Sequence, residues 1–239
     1  MKYKIKLLKK YEVAVNTIAL EFEKPAGFEF RAGQFCEWKL IDPKFQGAVN
    51  EVRPFSLASA PFEKNLMLAT RLRATAFKNS LKELSVGETV EMDGPFGALI
   101  LHVRSERPAV ILTGGIGITP FRSIIKQAIH ENLPHKIFLF YSNRRPEDAP
   151  FLKELENVAQ ENPNFRMIAT MTAVEKSELA RPGERGRLNW DLIARHIDIG
   201  SNPVYYSAGP PQLTAGLWQV LKSSGVSEDD IKTEEFPGY

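Results

Sequence analysis

Ala109-Val-Ile-Leu-Thr-Gly-Gly-Ile-Gly-Ile-Thr-Pro-Phe-Arg-Ser123 is the stretch whose reading decides the fold. It opens as an apolar, β-branched run, breaks at Gly114, Gly115 and Gly117, and restarts as a helix. Thr119 suits the N-cap and Pro120 the first helical position. Phe121, Ile124, Ile125, Ala128 and Ile129 follow at i, i+3, i+4, i+7 and i+8, the apolar stripe of a helix packed on a sheet. A strand, a glycine turn and a helix N-terminus present free N–H groups and a positive dipole end to an anion, most often a phosphate. The glycines would let a ligand approach the backbone where a Cβ would collide. The same pattern also suits an ordinary tight strand-to-helix turn, so the glycines alone leave both readings open.

Downstream of this turn, strand-like and helical runs alternate. Ile137–Tyr141 reads as a strand, Phe151, Leu152, Leu155 and Val158 mark a helix, and Arg166–Met171 reads as another strand. Trp190–Ile197 is a short helix, Val204–Ala208 a strand, and Leu213–Leu221 a helix entered through Pro210 and Pro211. Ile231–Phe236 closes the series as a strand. Such alternation implies a parallel sheet covered on both faces, with ligands beyond the carboxyl ends of its strands.

Upstream the texture differs. Lys2, Lys4 and Lys6 alternate with Tyr3, Ile5 and Leu7, the period-2 pattern of a half-buried strand. The lysines suit a solvated strand face or a docking patch for an acidic partner. Short strands at Thr17–Phe22, Gln34–Ile41, Leu66–Leu72 and Thr89–Met92 follow, with a single helical pattern at Phe77–Leu84. Closely spaced strands with glycine and proline turns predict a small antiparallel barrel. The expectation is therefore two domains, 1–103 and 104–239: an N-terminal antiparallel β-barrel and a C-terminal α/β doubly wound parallel sheet.

Composition narrows the function. A net charge of +2 over 239 residues argues against a nucleic-acid binder, which carries a concentrated basic face. Cys36 is the single cysteine, so the chain's own thiolates cannot frame a disulfide set, an iron–sulfur cluster or a zinc site. His102, His130, His135 and His196 lack metal-ligand spacing and read as structural or surface residues, so no metal is expected. No apolar run approaches the roughly 20 residues of a membrane span. The N-terminus lacks a signal-peptide core, which makes a cytoplasmic protein the default; a monomer is expected.

Ala32-Gly-Gln-Phe35, Arg53-Pro-Phe-Ser-Leu-Ala-Ser59 and Gly94-Pro-Phe-Gly97 punctuate the barrel half. Arginine offers a planar fork for a phosphate, an aromatic offers a stacking face, and serine a hydroxyl donor. Alone, these residues also suit a strand end with a paired arginine. In order with Gly114-Gly-Ile-Gly-Ile-Thr-Pro120 and Tyr206-Ser-Ala-Gly-Pro-Pro-Gln-Leu213, they resemble the ferredoxin–NADP reductase-like family of flavoproteins. The resemblance spans Gly33 to Phe236 and implies an FAD-binding Greek-key barrel followed by an NAD(P)-binding α/β domain.

The resemblance also implies roles. Arg53 would grip the flavin pyrophosphate, with Pro54 beside it, Phe55 against the isoalloxazine and Ser56 at flavin N5. Arg71 would be a second contact to the phosphate and ribose, and Ala76, Phe77, Lys78 and Ser80 would form the second pyrophosphate loop. Relatives often carry glycines where Ala74-Thr-Ala-Phe-Lys78 stands here. Gly114, Gly115, Gly117, Thr119 and Pro120 would hold the coenzyme pyrophosphate, and Gly209, Pro210 and Pro211 would line the nicotinamide side. Many relatives place a cysteine before that Gly-Pro-Pro, where this chain has Ala208. Phe236 and Tyr239 would cover the flavin face, and Glu235 would hydrogen-bond the nicotinamide region or a serine there, making Ser56 and Glu235 the expected catalytic pair.

Coenzyme choice is read after the second parallel strand. Arg144 and Arg145 stand there with no acid at Ser142 or Thr172, which favours the 2′-phosphate of NADP. Asn-Arg-x-Pro-Glu-Asp runs also resemble NAD-using relatives, so the cofactors expected are FAD with NADP or NAD. The implied function is hydride transfer from NAD(P)H to FAD, with electrons passed to a separate acceptor such as ferredoxin or flavodoxin. Two alternatives are a reductase of free flavin or ferric chelates, and a non-enzymatic flavin- or nucleotide-sensing module. Tightly copurifying flavin counts against the first, and steady-state diaphorase activity against the second.

Overall fold

A computed structural model describes residues 2–42, 44–45, 47–48, 51–177, 179 and 183–236. The first half contains β1 (Lys2–Ala14), β2 (Thr17–Phe22), β3 (Phe35–Leu40), β4 (Val52–Ser56), β5 (Leu66–Arg71), α1 (Ala76–Glu83) and β6 (Thr89–Phe96). All pairings are antiparallel, in the order β4-β3-β6-β1-β2-β5, whose non-sequential neighbours are those of a Greek key. Leu57 bridges Leu68, and the Ala58 amide donates to the Met67 carbonyl at 2.8 Å, so the β4 end of the sheet curls round to β5. Alternation along β1 is as the sequence implies: Ile5 and Leu7 are buried while Lys2, Lys4 and Lys6 face outward. Trp38 and Phe22 meet at 4.9 Å in the barrel core, and Cys36 is fully buried among them.

The second half contains β7 (Ala109–Gly114), α2 (Thr119–His130), β8 (Ile137–Asn143), α3 (Leu152–Glu161), β9 (Phe165–Met171), β10 (Glu184–Arg185), α4 (Trp190–His196), β11 (Val204–Gly209), α5 (Pro211–Ser223) and β12 (Ile231–Glu235). Its strands are parallel throughout, ordered β10-β9-β8-β7-β11-β12. The chain winds outward from β7 in one direction, then returns to β11 and winds the other way. The reversal lies between β7 and β11, where the crevice of a doubly wound sheet opens. Both faces are covered: Ala109 and Ile111 pack with Phe121 and Ile125 of α2, whereas Val110 and Leu112 pack with Ile193 of α4 and Leu217 of α5. Continuous apolar runs, rather than alternating ones, are what such doubly buried strands require.

The first of these cores does not stop at the domain boundary. Ala58, Met67, Ala69 and Leu99 of the barrel join Ile116, Phe121 and Ile124 in one buried cluster.

The structure corrects several expectations. Thr119 is not the N-cap. A 3₁₀ turn over Gly115–Ile118 runs straight into α2, so Thr119 is already helical and its hydroxyl donates to the Ile116 carbonyl at 3.0 Å. Pro120 accordingly stands one position further into the first turn. β4 was legible only as a motif, because its first three residues are exposed and one of them is proline. β10 pairs two polar residues with Thr170 and Met171 and leaves no periodic signal.

Phe121 is fully buried where the two halves share a core. Phe121→Ala is expected to cost about 3–5 kcal/mol, read as a lowered midpoint in thermal or urea unfolding.

Candidate active site

A cavity of about 460 Å³ opens between the two halves. From the barrel it receives Phe35, Arg53–Ser56, Ala69, Thr70, Thr75, Phe77 and Lys78; from the sheet domain, Ile116, Thr119 and Glu234–Phe236. A second groove, beside Val13 and α3, holds none of the residues expected to contact a cofactor.

The barrel wall follows from three elements. Pairing of β3 with β4 puts Phe35 opposite Ser56 and Cys36 opposite Phe55. Phe55 stacks on Phe77 of α1 with centroids 5.9 Å apart, forming a flat aromatic wall. Thr75 caps α1 by accepting from the Lys78 amide at 3.3 Å, and the N-terminus of α1 faces the cavity with Thr75, Phe77 and Lys78. Burial, with Arg73 nearby, holds the Lys78 ammonium below its ordinary range. A buried cation beside a second cation and a helix N-terminus is a setting that a diphosphate relieves. Arg53 is half-exposed and ion-paired with Glu51. Ala76 and Ser80 bond to each other instead of lining the cavity, Ser80 Oγ donating to the Ala76 carbonyl at 2.9 Å. Arg71 also lies off the cavity lining, 3.9 Å from Asp148.

The sheet-domain wall is set by the glycine turn. A Cβ on Gly117 would stand 2.2 Å from the Ala208 carbonyl oxygen, and one on Gly114 2.6 Å from that of Ser142. These two glycines are needed by the turn's own packing against β11 and β8, not chiefly by an approaching ligand. Gly115 differs: it is left-handed at φ +55, nothing lies within 4 Å of its pro-Cβ position, and Asn143 Oδ1 accepts its amide at 3.1 Å. Gly209 ends β11 and its carbonyl accepts from the Phe236 amide at 2.9 Å, which brings the end of β12 into the cavity. Pro210 caps α5 and Pro211 is its first residue.

The acid beside Ser56 is not the one expected. Ser56 Oγ donates to Glu234 Oε1 at 3.3 Å, whereas Glu235 Oε1 accepts from Thr214 at 3.4 Å. Side chains alternate along a strand, so Phe236 and Glu234 share a side and Glu235 takes the other. That alternation was available in the sequence once Phe236 was placed on the flavin side. Burial pushes the Glu234 carboxyl up to about 7, with the Ser56 hydroxyl drawing it part of the way back.

The expected coenzyme arginines separate as well. Arg145 forks onto Asp148 at 2.8 and 2.9 Å and reaches Glu147 at 3.3 Å, while Arg144 is exposed. The Arg145 hydrogen bonds, more than burial opposes, hold Asp148 below its ordinary range. Tyr239 lies outside the described residues. The histidines serve structure: His102 Nδ1 pairs with Tyr206 Oη at 2.7 Å, His135 Nε2 with the His102 carbonyl at 2.8 Å, and His130 stacks on Phe62. Among the described residues no group of three or more His, Cys, Asp or Glu converges to hold a metal, and no helix is long and apolar enough to cross a membrane.

Two family descriptions match consecutive parts of the chain: an FAD-binding domain over residues 2–114 and an oxidoreductase NAD-binding domain over residues 111–217. The chain belongs to the ferredoxin–NADP reductase-like flavoproteins. It is 25% identical over 221 residues to a propane 2-monooxygenase reductase component of Rhodococcus jostii, covering 89% of this chain and 57% of that one. It is 24% identical over 229 residues to the ferredoxin–NAD(P)(+) reductase component of a Pseudomonas putida naphthalene 1,2-dioxygenase system, covering 94% and 65%. The chain thus spans about three fifths of the length of these curated relatives. Among solved structures, a ferredoxin NADP+ reductase of Neisseria gonorrhoeae with bound FAD and NADP superposes with a TM-score of 0.80 at 21% identity, covering 98% of each chain. An Amycolatopsis cytochrome P450 reductase superposes at 0.82 with 23% identity, covering 98% of this chain and 70% of that one.

Because the folded Glu234 carboxyl lies above its ordinary value of 4.5, protonation favours folding, and that advantage is lost as pH rises through about 7. Glu234→Gln is expected to stabilise the flavin-free protein at pH 8 by on the order of 1 kcal/mol and to leave it unchanged near pH 4. Thermal melts across pH measure it.

Proposed function

We propose that the protein oxidises NAD(P)H through bound FAD and passes electrons to a separate acceptor of the ferredoxin or flavodoxin kind. The observation carrying this reading is one cavity lined at once by the Arg53–Ser56 strand, the capped start of α1, Ile116 of the glycine turn and the end of β12. Bound FAD would supply hydride acceptance and the stepwise release of electrons.

The chain's own residues do the rest. Lys78, Arg53 and the α1 N-terminus hold the flavin phosphates, and the Phe55–Phe77 pair offers the ring a flat wall. Gly115 and the 3₁₀ entry to α2 meet the coenzyme pyrophosphate. Ser56 Oγ holds its proton toward Glu234, whose carboxyl near neutrality can take either form and so keep a proton within reach of the reacting ring. Phe236 fills the place that a nicotinamide must enter, so coenzyme binding displaces it. Arg144, exposed at the end of β8, is the side chain placed to meet a 2′-phosphate, whereas Arg145 is committed to Asp148. This favours NADPH.

The purified protein is expected to be yellow, to release FAD on acid treatment, and to bleach anaerobically with NAD(P)H. A colourless protein that takes up no added flavin overturns the reading. Ser56→Ala should slow flavin reduction while flavin content holds, since a donor aimed at developing charge acts in the transition state; stopped-flow traces measure it. Arg144→Glu should raise KM for NADPH far more than for NADH, and Arg145→Glu should instead lower stability by freeing Asp148. The Arg53–Glu51 pair favours one second reading, in which flavin is held loosely and turned over as a substrate. Retention of flavin through gel filtration sets that second reading aside.

A further inference from the structure

Arg122 is an anomaly in α2. It follows the buried Phe121 in the helix, and only 4% of it is exposed. Its guanidinium forks onto two carboxylates. Nη1 and Nη2 reach Glu63 at 2.9 and 3.2 Å, and Nε and Nη2 reach Glu154 at 2.8 and 2.7 Å. Lys126, one turn on, bridges the same two acids at 2.8 and 2.9 Å. The remaining Arg122 bond runs from Nη1 to the Ala58 main-chain carbonyl at 2.6 Å. Ser123 Oγ donates to the next carbonyl, Ser59, at 2.7 Å. Further along the helix, Gln127 Oε1 accepts from the Phe62 amide at 3.2 Å, and His130 stacks on the Phe62 ring at 3.9 Å.

One face of α2 is therefore fastened to the barrel segment Ala58–Glu63 at successive points. Both partners are continuous with the cavity. Ala58 and Ser59 continue the strand that ends in Ser56; Arg122 and Ser123 belong to the first turn of the helix that starts at Thr119. These cross-domain bonds thus lie within four residues of each wall. Apolar packing alone would hold the domains together while permitting slip, since it is non-directional. A planar fork held by two bidentate carboxylates fixes orientation as well as contact.

We propose that Arg122 and Ser123 are positioning residues for hydride transfer: their bonds to Ala58 and Ser59 set the spacing between the flavin wall and the coenzyme turn. This rests on the flavin and coenzyme reading given above. Neither side chain lines the cavity, so their action passes through Ser56 and Thr119. Hydride transfer needs its two carbon and nitrogen centres at about 3–3.5 Å, and a 1 Å misplacement costs about a hundredfold in rate.

The test is anaerobic stopped-flow on flavin-loaded Arg122→Lys, Ser123→Ala and the triple variant Arg122→Met/Glu63→Gln/Glu154→Gln. The triple variant removes the buried Arg122 charge together with both its carboxylates, leaving only the partly exposed Lys126, and so remains foldable where Arg122→Lys is not. The expected result is a limiting rate of flavin reduction lowered about 10- to 100-fold at saturating NAD(P)H, with the coenzyme's apparent dissociation constant nearly unchanged. The long-wavelength charge-transfer absorbance of the flavin–nicotinamide complex should weaken in parallel, a signature that a purely structural role would not move. Reduction by dithionite and reoxidation by ferricyanide should match wild type, because neither uses the nicotinamide wall. Wild-type reduction rate and charge-transfer absorbance in the folded triple variant and in Ser123→Ala would overturn the proposal and leave the cluster a staple. Failure of the underlying reading looks different: wild-type protein would then bind no flavin.

Discussion

Gly117 has room for a hydrogen and nothing more. Its Cα packs against the Ala208 carbonyl, which also accepts from Thr113 Oγ1 at 2.9 Å. This three-way contact joins the ends of β7 and β11, the two strands between which the sheet reverses direction. It fixes where α2 begins, because the 3₁₀ turn has no freedom to swing away from β11. It also fixes where β12 arrives, because Gly209 at the next position receives the Phe236 amide. The cavity's sheet-domain wall is a consequence of how closely two backbones can pass.

The barrel is then referenced to that wall rather than to the sheet as a whole. The shared apolar cluster supplies adhesion and the Arg122 cluster supplies direction. Burial alone would raise Glu63, yet the hydrogen bonds from Arg122 and Lys126 bring it down to about 2. The bonds therefore outweigh desolvation at that acid. Since the folded value lies below the ordinary one, this contribution is complete above the usual carboxylate range and fades only as pH falls toward 2. Near neutrality Glu234 therefore changes charge, whereas Glu63 stays ionised.

Much of this was legible in the chain. Thr17–Phe22 was read with both its ends, and the βα alternation after Pro108 gave the parallel sheet, because doubly buried strands and amphipathic helices leave strong periodic signals. Arg53–Ser56, Phe77 and Lys78 were placed by motif order, and they do meet in one cavity. What escaped depended on partners distant in sequence. Arg122 gave no sign of burial because Glu63 and Glu154 come from a barrel loop and another helix. β10 is held by backbone pairing, which leaves no side-chain pattern. Glu234 beside Ser56 escapes a reading that weighs proximity to Phe236 and not strand alternation, although Glu235 lines the same cavity. Between a ligand site and a tight turn the glycines alone do not decide, because the nearness of β11 and β8 to Gly117 and Gly114 is a tertiary fact.

Arg144 has a different kind of significance. Its main chain is anchored, since the carbonyl accepts from the Ala173 amide at 2.9 Å, but its side chain is exposed. Its neighbour Arg145 carries the structural duty through Asp148, which in turn faces Arg71 of the barrel. Two adjacent arginines have thus divided their labour, one bound into the framework and one released from it. On the reading proposed here, the released one is what distinguishes the electron donors. Descent could then exchange one pyridine nucleotide for the other at an exposed side chain, and the fold itself could pass unaltered between metabolic settings with different reductant supplies.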